Sequence, residues 1–94
     1  MPAVTESLSL QARVQLGLAV RRLREDRGTS LAALSDATGL SPFSVNAIER
    51  GRRGPSLDAL LAIAAALDTT VRELLTGVYP WDDVPPPDAP IATP

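Results

Sequence analysis

Between Thr29 and Gly77 the chain is punctuated at short intervals, and this punctuation restricts its fold more than any other feature. Ser30, Ser41, Ser56 and Thr70 each open an apolar stretch, and Gly39, Gly51 and Gly77 close three of them. A hydroxyl at a helix N-cap accepts a hydrogen bond from an otherwise orphaned N–H of the first turn. A glycine just past a helix takes left-handed backbone at little cost. The spacing therefore predicts four short helices: residues 31–38, 42–50, 57–67 and 71–76. Pro42 stands at a first helical position, where its missing N–H costs nothing, and Thr70 with Glu73 has the spacing of a capping box. A longer helix precedes them over residues 8–26, with Leu16, Val20 and Leu23 on one stripe and Gly28 as its stop. No alternating strand pattern is present. Five helices with connections of two to five residues make a compact all-α bundle.

Outside that body the pattern changes. Residues 1–7 carry no periodicity and read as a flexible head, residues 8–77 as the domain, and residues 78–94 as a tail holding six of the nine prolines. Pro85-Pro86-Pro87 can neither continue a helix nor pair within a sheet, so the tail is expected to be extended or disordered. The 94 residues suffice for one small domain.

There is no Cys and no His, which removes disulfides, thiolate metal sites and most acid–base arrangements. No metal, no cofactor and no enzymatic activity are expected. The longest apolar run, residues 59–67, is nine residues, whereas a membrane span needs about 20. The N-terminus has no basic region and contains Glu6, unlike a signal peptide, so the expected location is the cytoplasm.

The net charge of −2 looks unfavourable for binding a polyanion, but its distribution matters more than its sum. All nine cations are arginines between Arg13 and Arg72, and residues 10–77 contain seven acids, a local charge of +2. The remaining acids, Glu6, Asp82, Asp83 and Asp88, lie in the head and tail.

Residues 30–55 carry the functional signal: a short helix, the tight turn Gly39-Leu40-Ser41, then a second helix. Gly39 is where positive φ is expected, and Leu40 pins the turn to the core. This is the pattern of a helix-turn-helix, whose second helix lies in the DNA major groove. At 100° per residue, Val45 and Ile48 point to the core, while Phe43, Asn46, Ala47 and Arg50 point away. Asn46 can pair with adenine, Arg50 can bond guanine or phosphate, and Phe43 can contact a thymine methyl. Ser41, Pro42 and Ser44 complete the set expected at base edges. Thr29, Ser30, Arg52 and Arg53 are expected on the phosphate backbone.

Residues 16–77 resemble the Cro and phage-repressor class of helix-turn-helix domains, also called the xenobiotic-response-element family. The resemblance rests on Leu16-Gly17, Val20-Arg21, Leu23-Arg24, Gly28, Ser30, Leu34, Gly39-Leu40-Ser41, Val45, Ile48-Glu49, Gly51, Pro55-Ser56-Leu57, Leu60, Ile63-Ala64, Leu67 and Leu74-Leu75. It implies a five-helix lambda-repressor-like fold, a homodimer on double-stranded DNA, an operator with inverted half-sites, and an ion pair between Arg24 and Glu49. The chain departs from the family pattern at Leu31, where Gln is common, at Ala32 and Ala33, and at Pro42-Phe43. Those changes shift base readout from hydrogen bonding toward apolar contact.

Each feature has a plainer account beside the functional one. Phe43 could fold back into the core, although the helical wheel places it outside. Arg52 and Arg53 could merely favour the negative end of the third helix, but one arginine would serve for that. Gly51-Arg52-Arg53-Gly54 also matches the GXXG loop of an RNA-binding KH domain, which requires strands that the sequence lacks. Tyr79 and Trp81 could pack on the bundle or anchor a protein partner. Asp82-Asp83 in a flexible tail lacks the preorganisation of a metal site. The expectation is a sequence-specific, homodimeric transcriptional repressor. The alternative is a protein-interaction module, such as an antitoxin or accessory regulator, that binds a partner through the tail or the apolar helix face.

Overall fold

The computed structural model describes residues 2–78, with side chains from residue 10 onward. It contains five helices: α1 (Pro2–Asp26), α2 (Leu31–Thr38), α3 (Pro42–Glu49), α4 (Leu57–Ala66) and α5 (Val71–Leu75). All the regular structure among the described residues is helical. The expectations for Tyr79, Trp81, Asp82-Asp83 and the proline-rich tail beyond Val78 fall outside the described residues.

Local chemistry accounts for the helix starts. The hydroxyls of Ser30, Ser41, Ser56 and Thr70 accept from the backbone N–H groups of Ala33, Ser44, Ala59 and Glu73 at 3.0–3.1 Å. The Glu73 carboxylate accepts from the Thr69 hydroxyl at 3.0 Å. At its other end, α1 differs from expectation. It starts at Pro2 rather than near residue 8, so residues 2–7 continue the helix and are not a separate head. Proline is tolerated in a first turn, and no second Pro interrupts the run up to Asp26. At 25 residues, α1 is about 38 Å long.

The helices pack as a closed circuit: α1 on α3, α3 on α2, α2 on α4, α4 on α5, and α5 back on α1. The circuit encloses Val20, Leu34, Val45, Ile63, Leu67 and Leu74, all fully buried. Val78, the first residue of the expected tail, is also buried in this core, and its N–H donates to the Leu75 carbonyl at 3.0 Å. Among the described residues, no helix is long and apolar enough to cross a membrane.

Gly17 sets the closest approach in the circuit. A Cβ there would collide with the carbonyl oxygens of Ile48 and Glu49 and lie 2.8 Å from the Glu49 carbonyl carbon. Helix propensity alone favours alanine over glycine by about 1 kcal/mol. Overpacking against rigid backbone costs about 1–3 kcal/mol or more, and backbone carbonyls cannot rotate out of the way. Gly17→Ala is therefore expected to lower the melting temperature by several degrees, about 4–8 °C per kcal/mol for a domain of this size. A higher melting temperature would show that α1 and α3 are not in this contact.

Candidate nucleic-acid interface

The turn between α2 and α3 is held by its own side chains. Gly39 has φ 76° and donates its N–H to the Ser35 carbonyl at 2.9 Å. The Ser35 hydroxyl donates to the Leu40 carbonyl. The Thr38 hydroxyl donates to the Leu34 carbonyl at 2.8 Å and accepts from the Leu40 N–H at 3.3 Å. Leu40 is half-buried against the core. Every polar group of the turn named here has a partner, so α3 leaves α2 in one defined direction. The roles of Ser35 and Thr38 were not visible in the sequence, because a mid-helix Ser or Thr reads as filler until the chain's return is known.

Along α3 the exposed arc holds Pro42, Phe43 and Arg50, with Ser44 and Asn46 half-buried. Phe43 is 75% exposed, so it does not complete the core. Ala47 corrects the sequence expectation: it is buried, and with Val45, Ile48 and Glu49 belongs to the covered side. A wheel drawn for one core stripe leaves Ala47 outside. Here α1 and α2 both pack on α3, and the covered arc widens to include it.

Ser41, exposed at the N-cap, donates its hydroxyl to Ser44 Oγ at 3.0 Å, and Arg53 Nη1 donates to the same oxygen at 3.3 Å. With both lone pairs engaged, the Ser44 hydroxyl is left as a donor, suited to a phosphate oxygen or a base acceptor. Arg52 and Arg53 are exposed just beyond α3, next to Gly51 at φ 72°. Ser30 is exposed and Thr29 half-buried at the start of α2. That helix N-terminus, with its orphan N–H groups, favours an anion nearby. The structure thus brings Ser41, Pro42, Phe43, Ser44, Asn46 and Arg50 onto α3 and its two caps, with Arg52 and Arg53 just past its end and Thr29 and Ser30 at the start of α2.

Arg24 holds this assembly to α1. Its Nε donates to Glu49 Oε2 at 2.6 Å, its Nη2 to Glu49 Oε1 at 3.1 Å, and its Nη1 to the Thr29 carbonyl at 3.0 Å. The two side chains are 13% and 5% exposed. Donating hydrogen bonds to the Glu49 carboxylate raises the guanidinium's pKa above its ordinary value, against the opposing effect of burial. One side chain therefore ties α1 to the end of α3 and to the segment leading into α2. The Thr29 contact was not visible in the sequence, since it runs to a backbone carbonyl.

Comparison with known proteins agrees with this geometry. Residues 20–74, more than half of the chain, match a family model described as Helix-turn-helix. The chain is 38% identical over 64 residues to the HTH-type transcriptional regulator DdrOP3 of Deinococcus deserti, covering 68% of this chain and 50% of that protein. It therefore spans about half the length of that relative. It is 32% identical over 76 residues to y4dJ of Sinorhizobium fredii, an uncharacterized HTH-type transcriptional regulator, covering 81% of this chain and 95% of that one. Among solved structures, the restriction-modification controller protein C.AhdI from Aeromonas hydrophila aligns with a TM-score of 0.63 and 41% identity, covering 65% of this chain and 92% of C.AhdI. The clp gene regulator ClgR from Corynebacterium glutamicum aligns with a TM-score of 0.67 and 34% identity, covering 71% of this chain and 87% of ClgR. With the packed turn and the exposed arc of α3 in the same residues, the chain belongs to the xenobiotic-response-element family of helix-turn-helix domains, the Cro and phage-repressor class.

Proposed function

We propose that this protein binds double-stranded DNA sequence-specifically as a homodimer, with α3 in the major groove, and represses transcription in the cytoplasm. The observation that carries this reading is the exposed arc of α3. Arg50 and the half-buried Asn46 stand on a helix whose other side is locked to α1 and α2, with Arg52 and Arg53 just past its end. Base edges are read by Asn46 and Arg50, with Phe43 and Pro42 against apolar groove surface and Ser41 and Ser44 beside them. Thr29, Ser30, Arg52 and Arg53 position the protein on the backbone. Two such helices about 34 Å apart would read inverted half-sites one turn from each other. C.AhdI is named a controller protein and ClgR a gene regulator, which supports a regulatory role here.

Selection of random duplex DNA by the purified protein, followed by sequencing of the bound pool, tests this. An enriched inverted repeat is the expected result. With about three phosphates neutralised per copy, the log–log salt slope of the dimer should lie near −5. Retention without enrichment would reduce the reading to backbone affinity alone. No retained duplex at low salt would overturn it in favour of a protein partner on the face exposing Phe43.

A further inference from the structure

Where α1, α2 and α3 meet, a cleft of about 210 Å³ is lined by Arg21, Arg24, Leu31, Asn46, Glu49 and Arg50. That is several times the ~30 Å³ share of one water molecule. Its charge is unbalanced, because Arg24 is matched by Glu49 while Arg21 and Arg50 are not matched within the cleft. Arg21 is 59% exposed, and its ion pair, to Glu25 Oε1 at 3.5 Å, lies one helical turn along α1 on the surface. Exposed pairs of this kind contribute little and exchange partners readily. The cleft also opens between two elements of the proposed DNA face, since Asn46 belongs to α3, Arg50 is its C-cap and Leu31 is the first residue of α2.

We propose that this cleft seats a phosphodiester group of the DNA backbone, with Arg21 of α1 as its principal ligand and a phosphate-contacting residue of the interface. This inference rests on the DNA-binding reading above. A guanidinium fork suits an oxyanion, and the ordered Arg24–Glu49 pair forms a fixed wall behind it. Leu31 leaves one side of the seat apolar, which lowers the local dielectric and strengthens the contact. Arg52 and Arg53 supply two cations per copy just past the end of α3, and Arg21 supplies a third from α1. Three per copy accounts for a dimer slope near −5.

The test is the salt dependence of binding to a duplex of unselected sequence, for wild type, Arg21→Ala, Arg21→Lys and Arg22→Ala. Arg22 is an exposed α1 neighbour that does not line the cleft. Arg21→Ala should weaken binding about equally across sequences and reduce the magnitude of the slope by about 2 for the dimer. Arg21→Lys should keep the slope, and Arg22→Ala should leave slope and affinity unchanged. Equal losses in Arg21→Ala and Arg22→Ala would mean only a diffuse field around α1, and would overturn the seat. So would an unchanged slope in Arg21→Ala. A wild-type protein that retains no duplex at about 50 mM salt would overturn the DNA reading itself. Because Arg21 is exposed, an unchanged melting temperature in each variant separates these outcomes from misfolding.

Discussion

Glu49→Ala is expected to lower the melting temperature by more than about 10 °C. Removing one member of a buried pair leaves the other charge desolvated and uncompensated, at a cost of about 3–5 kcal/mol. A domain of this size is stabilised by about 5–15 kcal/mol in total, and each kcal/mol shifts its melting temperature by about 4–8 °C. The stranded group would be Arg24, whose side chain is only 13% exposed and whose Nε and Nη2 both donate to Glu49. The loss should reach DNA binding too, because the same guanidinium holds the Thr29 carbonyl at the start of α2. A double variant, Arg24→Met with Glu49→Leu, should recover part of the stability, since well-packed apolar residues often replace a buried pair at no net cost. It should not restore DNA binding fully, because Thr29 then lacks its donor. An unchanged melting temperature in Glu49→Ala, read by thermal denaturation, would refute the structural role of the pair.

Arg50→Ala is expected to cause the largest loss of operator affinity without loss of folding, with Asn46→Ala close behind. A good two-pronged contact to a base is worth about 1–3 kcal/mol, and a symmetric dimer makes it twice. The expected cost is therefore about 2–6 kcal/mol, on the order of 30-fold to 10⁴-fold in the dissociation constant. Arg50 is exposed, so its removal should leave the melting temperature in place. The decisive measurement is competition between the selected operator and a scrambled duplex at one salt concentration. A base-reading role predicts loss on the operator and little on the scrambled duplex, with preference relaxed at one symmetric pair of positions. An equal loss on both would assign Arg50 to phosphate. The Arg21 variants predict that second pattern, so Arg21 and Arg50, which line one cleft, should separate cleanly by experiment.

What the sequence alone determined about this protein is what operates within four residues. The caps at Ser30, Ser41, Ser56 and Thr70 and the left-handed Gly39 depend on hydrogen bonds to near neighbours and on the backbone freedom of one residue. Those requirements are written wherever the residues are. The exposure of Phe43 and the burial of Val45 and Ile48 also followed from helical period, since one core face dominates α3. The start of α1 is not marked in the sequence, because residues 2–7 extend the helix without an apolar stripe. Tertiary structure decided the rest. Ala47 is buried because two helices cover α3, and Val78 is core because the circuit of helices closes over it. The cleft exists only because Arg21, Leu31 and the Asn46–Arg50 turn, separate in the chain, meet where α1, α2 and α3 come together. Caps and periodicity are properties of a segment, whereas burial at the edge of a face and convergence of charges are properties of how segments pack, which no single segment encodes.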